Sequence, residues 1–183
     1  MAFEIELKAG VSDHAALKSA IDSQAVFSFS FEKEDIYWSS PDFFTVRVRS
    51  ERDIDGNGVN SSATWVTYKI KERLNGIEVN REHEFGVSCG SAFEDFLKLL
   101  DFEVTLRKKK RGFSWKYEDI TVELADIERL GYFVELEILA DNDNPDTISR
   151  ARARLLDFLR KIGVSEDNIE DRYYAELLRE LDE

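Results

Sequence analysis

Apolar and charged side chains alternate one for one in stretch after stretch of this 183-residue chain, beginning with Phe3-Glu4-Ile5-Glu6-Leu7-Lys8. Successive side chains of a strand point to opposite faces, so each stretch carries an apolar face and a charged one. The alternation predicts strands near 2–9, 26–38, 43–50, 63–72, 77–87, 102–112, 114–124 and 132–140. Most links between them are short, which favours antiparallel neighbours. Ser12 or Asp13 opens a helical pattern with Ala15, Leu17 and Ile21 on one face; Ser91 opens a second with Phe93, Phe96, Leu97 and Leu100. Residues 146–162 and the segment NIEDRYYAELLREL predict two closing helices. The expected class is α+β: an eight-stranded antiparallel β-barrel, closed or nearly so, with amphipathic helices outside. No repeat, low-complexity tract or linker interrupts residues 1–183, so they read as a single domain with C-terminal helices (about 146–181) packing on the barrel.

The composition narrows the partners. A formal net charge of -13 argues against nucleic acid and against an anionic membrane surface, but leaves room for a small anion in a locally basic pocket. The single cysteine, Cys89, cannot form an internal disulfide, and no apolar run or leader of targeting type is present, so a cytoplasmic location is expected. Cys89 reads as a semi-buried structural thiol. Asp53, Asp55, Asn57 and Gly58 match early positions of a calcium loop, but its twelfth position is Thr64 and no helix precedes it. A flexible hairpin is the better reading. His14 and His83 lack a second ligand at metal spacing, and no Gly-rich phosphate loop opens a helix.

The charged rows recur. Arg47 and Arg49 share a face, as do Lys69 and Lys71, Glu82 and Glu84 (with Arg81 beside them), Lys109 and Arg111, and Glu135 and Glu137; Glu123 alternates with Val122 and Leu124. Two architectures accommodate this. In one, the charged rows are solvated and their ion pairs contribute little. In the other, the apolar faces turn outward under the helices and the charges line a tunnel, which is costly unless a ligand compensates them. Arg47, Arg49, Lys69 and Lys71 fall on consecutive strands, whereas Glu4, Glu6, Glu135 and Glu137 lie at opposite ends of the chain, where barrel closure would bring them together. A basic wall facing a carboxylate wall suits a polyphosphate bridged by a hard divalent cation.

The order Glu4-x-Glu6-x-Lys8, Arg47-x-Arg49, Lys69-x-Lys71 and LGYFVELE, closed by DRYYAELL, resembles the CYTH superfamily, the triphosphate tunnel metalloenzymes. EKEDIYW and DRYYAELL look most like its class IV adenylyl cyclase-like branch. The resemblance spans nearly the whole chain and implies a metal-dependent enzyme acting on a triphosphate (ATP, tripolyphosphate or thiamine triphosphate). By the same resemblance Glu4, Glu6, Glu135 and Glu137, with Glu123, Glu82 and Glu84 as additional candidates, hold Mg²⁺ or Mn²⁺. Lys8, Arg47, Arg49, Lys69, Lys71, Arg81, Lys109 and Arg111 grip phosphate, with Lys8, Lys69 and Arg111 as catalytic candidates. A homodimer is implied as well. The leading reaction is ATP cyclisation with release of pyrophosphate; the alternatives are triphosphate hydrolysis and a non-catalytic polyphosphate- or nucleotide-binding module. Trp38, Trp65 or Trp115 offers a ring to stack on a base. Three departures stand out: Ala125 replaces an expected Asp, with Asp126 one residue on and Glu123 in phase; Lys109, Lys110 and Arg111 compete in register; and only Met1-Ala2-Phe3 stand before Glu4, where the cyclases carry a His-Phe element.

Overall fold

The computed structural model describes residues 3–40, 45–55 and 58–182. Its strands are β1 (Phe3–Gly10), β2 (Val26–Ser39), β3 (Val46–Asp55), β4 (Gly58–Leu74), β5 (Ile77–Gly86), β6 (Glu103–Tyr117), β7 (Ile120–Ile127) and β8 (Gly131–Ala140). The helices are α1 (His14–Asp22), α2 (Gly90–Leu99), α3 (Pro145–Lys161) and α4 (Tyr174–Glu180), with a 3₁₀ turn at Glu166–Asn168. All strand pairs are antiparallel, and the order β1-β5-β4-β3-β2-β6-β7-β8 closes into a barrel.

Most of the core lies outside the barrel wall, while Phe31, Ala125, Ile127 and Phe133, on the inward phase of their strands, form a smaller cluster with Tyr174 and Leu177 of α4. Ile5, Leu7, Val122, Leu124, Val134 and Leu136 turn outward and are buried with Leu155, Phe158 and Leu159 of α3. A second outer layer packs Trp38, Val46, Val48 and Val66 against Leu97 of α2 and Phe102. Full burial of each such side chain is worth roughly 1.5–3 kcal/mol. With the apolar faces taken up in this way, strict alternation sends the charged faces inward. That rules out the solvated-row architecture.

Three local expectations need correction. A break between the sixth and seventh strands near residue 113 does not occur: β6 continues to Tyr117, and the hairpin turns at Glu118–Asp119, where Glu118 adopts φ 53°. The helix expected over residues 168–181 is confined to α4, because Ile169 bridges Ala9 and Glu170 N–H donates to Lys8 C=O at 3.0 Å. Those residues are spent extending the edge of β1. The cap of α2 is Cys89, not Ser91, and its thiol is exposed, not semi-buried. Of the calcium-loop positions, Asn57 falls outside the described residues, and Asp53 is occupied in accepting from Ser61 Oγ at 2.9 Å. Residues 43–44 of the expected third strand also fall outside the described residues.

The long helix α3 starts on a side-chain cap, with Asn144 Oδ1 accepting from Thr147 N–H at 2.9 Å and Pro145 following at the first turn. Replacing Asn144 by alanine is expected to lower stability by about 1 kcal/mol with no change at the barrel interior, as measured by urea unfolding. Among the described residues no helix is long and apolar enough to cross a membrane.

Candidate functional site

The inward faces enclose a cavity of about 680 Å³. Of the residues singled out in sequence, Glu4, Glu6, Arg47, Arg49, Lys69 and Lys71 line it. So do Glu82, Glu84, Glu123, Glu135 and Glu137. Lys8 is inward in phase but buried at the wall, ion-paired with Glu78 and 5.5 Å from the Tyr174 ring centre.

Arg81, Lys109 and Arg111 do not join this group. On β5 the even-numbered residues face in, so Arg81 points out, stacking on Phe3 at 5.1 Å and reaching toward Asp143. On β6 the inward pair is Lys108 and Lys110, each 6 % exposed, while Lys109 and Arg111 face solvent and Arg111 pairs with Asp126 at 3.1 Å. A one-residue slip exchanges the two faces of a strand. Asp126, outward with Arg111, therefore cannot replace the missing inner acid at Ala125; Glu123 is the inward carboxylate of β7.

The interior also corrects the expectation of two walls of opposite sign. Arg49 is gripped by Asp35, Lys69 by Glu4 and Glu82, Arg47 by Glu84, and Lys110 by both Glu123 (2.8 Å) and Glu135 (2.7 Å). Lys33 shares Glu123 at 2.6 Å. Buried ions must be compensated by neighbours, so the strands interleave their charges. Burial works against the charged form of Glu123, but Lys110 and Lys33 outweigh it and hold that carboxyl well below its ordinary range. Glu4 feels the same opposition; Lys69 at 3.0 Å, with hydrogen bonds from Glu6 and Asn80, brings it down to about 2.

Glu6 and Glu137 differ from these. They are direct cross-strand partners on β1 and β8, and neither is ion-paired among the described residues. Burial, reinforced by Glu78, Glu135 and Glu4, pushes Glu6 well above the ordinary carboxylate range. Burial again, with Glu4 and Glu123, raises Glu137 to about 7. Two adjacent carboxyls without a cation, beside a third that a lysine holds, form a hard-oxygen donor set of the kind magnesium and manganese take. Among the described residues no three such groups converge at coordination distance, because Lys69 draws Glu4 aside and Lys110 draws Glu135.

Sequence reasoning missed Lys33, Asp35, Tyr37, Glu78 and Lys108, and left Lys110 competing in register with Lys109 and Arg111. The signal was present: Lys33, Asp35 and Tyr37 share one face of β2, and Lys108 and Lys110 share one face of β6. None of the three tryptophans lines the cavity. Trp38 and Trp115 are buried in the outer layers, the latter donating to Asp22 at 2.9 Å, and Trp65 donates to Glu51 at 2.8 Å.

Asp35 is held well below the ordinary carboxylate range: burial opposes its ionisation, but Arg49 and Lys108 overcome it. A depressed folded-state value contributes stability that is complete above the unfolded pKa of about 4 and is lost as pH falls through the lower folded value. Wild type is thus expected to exceed Asp35→Asn in stability by a constant margin above about pH 4, the margin closing on further acidification. Denaturant unfolding at a series of pH values checks this.

The CYTH domain family matches residues 2–174. The chain belongs to the CYTH domain family. A Methanocaldococcus jannaschii protein provisionally named an adenylate cyclase is 28% identical over 95% of this chain and 97% of its own length. The PH1819 protein of Pyrococcus horikoshii superposes with a TM-score of 0.85 at 27% identity, covering 97% of this chain and 99% of that one. A Hippeastrum protein described as an adenylyl cyclase with dominant triphosphatase activity shares the fold, with TM-score 0.67 at 15% identity over 98% and 96% of the two chains. These similarities fit the barrel.

Proposed function

We propose that this CYTH protein is a divalent-metal-dependent enzyme that binds a triphosphate inside its barrel and cleaves a phosphoanhydride bond. The observation carrying this reading is the pair Glu6–Glu137, half-buried side by side and without an ion-pair partner among the described residues, within a cavity lined by Arg47, Arg49, Lys69, Lys71, Lys108 and Lys110. Glu6 and Glu137, joined by Glu4 on release of Lys69, are the residues to hold magnesium or manganese. Such an ion supplies charge neutralisation and Lewis acidity at phosphate oxygens. The arginines and lysines of β3, β4 and β6 grip non-bridging oxygens and stabilise the negative charge that gathers on the leaving phosphate. A triphosphate brings enough negative charge to draw Lys69 and Lys110 from their present carboxylate partners, which frees Glu4 and Glu135.

The lining favours hydrolysis of the triphosphate by water. It is charged along most of its extent and holds no tryptophan to receive a base. Cyclisation of ATP is the second reading, favoured by the name of the Methanocaldococcus relative and by Tyr68 and Leu139 in the cavity wall, which offer apolar surface to an adenosine. Purified protein incubated with ATP, tripolyphosphate or thiamine triphosphate, each with Mg²⁺ or Mn²⁺, distinguishes them. Orthophosphate marks the hydrolase, cyclic AMP with pyrophosphate the cyclase. Metal-dependent binding without turnover marks a module and removes the enzyme reading. In the same assay Lys110→Gln is expected to lose more than about tenfold in turnover, while Arg111→Gln on the outer face stays within about twofold of wild type. The reverse pattern would place the β6 register one residue out.

A further inference from the structure

Behind two cations of the cavity wall stands a carboxylate that does not itself line the cavity. Asp35 is fully buried on β2, directly opposite Arg49 on β3 and Lys108 on β6, so the three make one row across adjacent strands. Asp35 Oδ1 accepts from Arg49 Nε at 2.6 Å and Oδ2 from Arg49 Nη2 at 3.0 Å. This two-point grip fixes the plane of the guanidinium as well as its position. Lys108 Nζ lies 3.0 Å from the same Oδ2, so the two cations stand at most twice that distance apart. Without the carboxylate between them, like charges this close in a water-poor wall would repel and separate. Arg49 Nη1 takes no partner among the described residues, and both Arg49 and Lys108 face the cavity.

We propose that Asp35 is a positioning residue: it locks Arg49 and Lys108 into one two-cation clamp sized for a single phosphoryl group, with their free donors turned toward the substrate. The inference rests on reading the barrel as a triphosphate site. It carries a specific consequence. A buried carboxylate beside a polyanion weakens ground-state attraction, so its use here is orientation, which matters most when charge moves in the transition state. Removing the charge while keeping the shape therefore costs rate and spares affinity.

The test uses wild type, Asp35→Asn and Arg49→Lys, the last keeping the cation but losing the two-point grip. Calorimetry with tripolyphosphate in the absence of metal gives Kd and counts competent sites; turnover with Mg²⁺ is then expressed per competent site. Both variants are expected to bind within about threefold of wild type, or more tightly for Asp35→Asn, and to lose at least about tenfold in turnover per site. Turnover per site within twofold of wild type overturns the proposal, as does parallel loss of affinity and turnover. Should Asp35→Asn not fold, Arg49→Lys decides alone. If wild type neither binds nor cleaves a triphosphate, the reading of the barrel itself fails, an outcome separable from failure of the clamp.

Discussion

Glu6→Gln is expected to reduce metal-dependent turnover by at least about a hundredfold and to leave the fold intact. The physical basis is the unusual state of Glu6 and Glu137. Both carboxyls are inside the barrel, neither is ion-paired among the described residues, and both are pushed toward their protonated forms by burial and by neighbouring acids. A glutamine has nearly the shape of a protonated glutamic acid and no charge to bury, so it removes the anionic oxygen without opening a cavity. Stability in the absence of metal should hold or rise, since an acid with a raised pKa costs stability once pH climbs past its unfolded value. Wild type is expected to gain in Tm on addition of Mg²⁺ and the variant to lose that gain, because only a folded site that binds the ion gains from it. Thermal melts with and without Mg²⁺, alongside the turnover assay, check both halves. Wild-type activity and metal dependence in both Glu6→Gln and Glu137→Gln would refute the assignment.

The largest stability effect is expected at Gly112, where backbone packing and not charge sets the limit. A Cβ at this position of β6 would stand 2.2 Å from Leu124 C=O and 2.8 Å from Ala125 Cα on β7. Both obstacles are backbone, fixed in the β6–β7 ladder where Gly112 faces Ala125, so no rotamer change relieves the overlap. The strands must separate, which disturbs the hydrogen bonds on either side and the seating of Lys110 and Glu123. Overpacking of a close-packed interior costs about 1–3 kcal/mol and more where relaxation is blocked; Gly112→Ala is placed at about 3 kcal/mol or above. Denaturant unfolding of the soluble fraction measures it. A loss below about 1 kcal/mol would mean that β6 and β7 do not approach so closely.

Much of the barrel was legible because strand alternation and helix periodicity are local. Phe3 to Lys8 alternates whatever lies around it, and the stripe of Leu155, Phe158 and Leu159 marks α3 without knowledge of its neighbours. Phase was harder where charges run consecutively. In Arg107-Lys108-Lys109-Lys110-Arg111 every residue is cationic, so no apolar partner marks which positions face out, and the inward Lys108 and Lys110 were read one residue late. Asp35 escaped notice for another reason. Its role comes from Arg49 and Lys108, which reach it from two other strands.

The sequence by itself determined the class of the fold and the membership of Glu4, Glu6, Arg47, Arg49, Lys69, Glu135 and Glu137 in charged rows. Alternation and side-chain type are properties each segment carries alone. Only the tertiary structure decided that the rows face inward, that Arg47, Arg49, Lys69 and Lys110 are each held by a carboxylate from another strand, and that Glu6 and Glu137 are left without an ion pair among the described residues. Burial and pairing depend on which strands become neighbours, and a linear chain records that only once the barrel has closed.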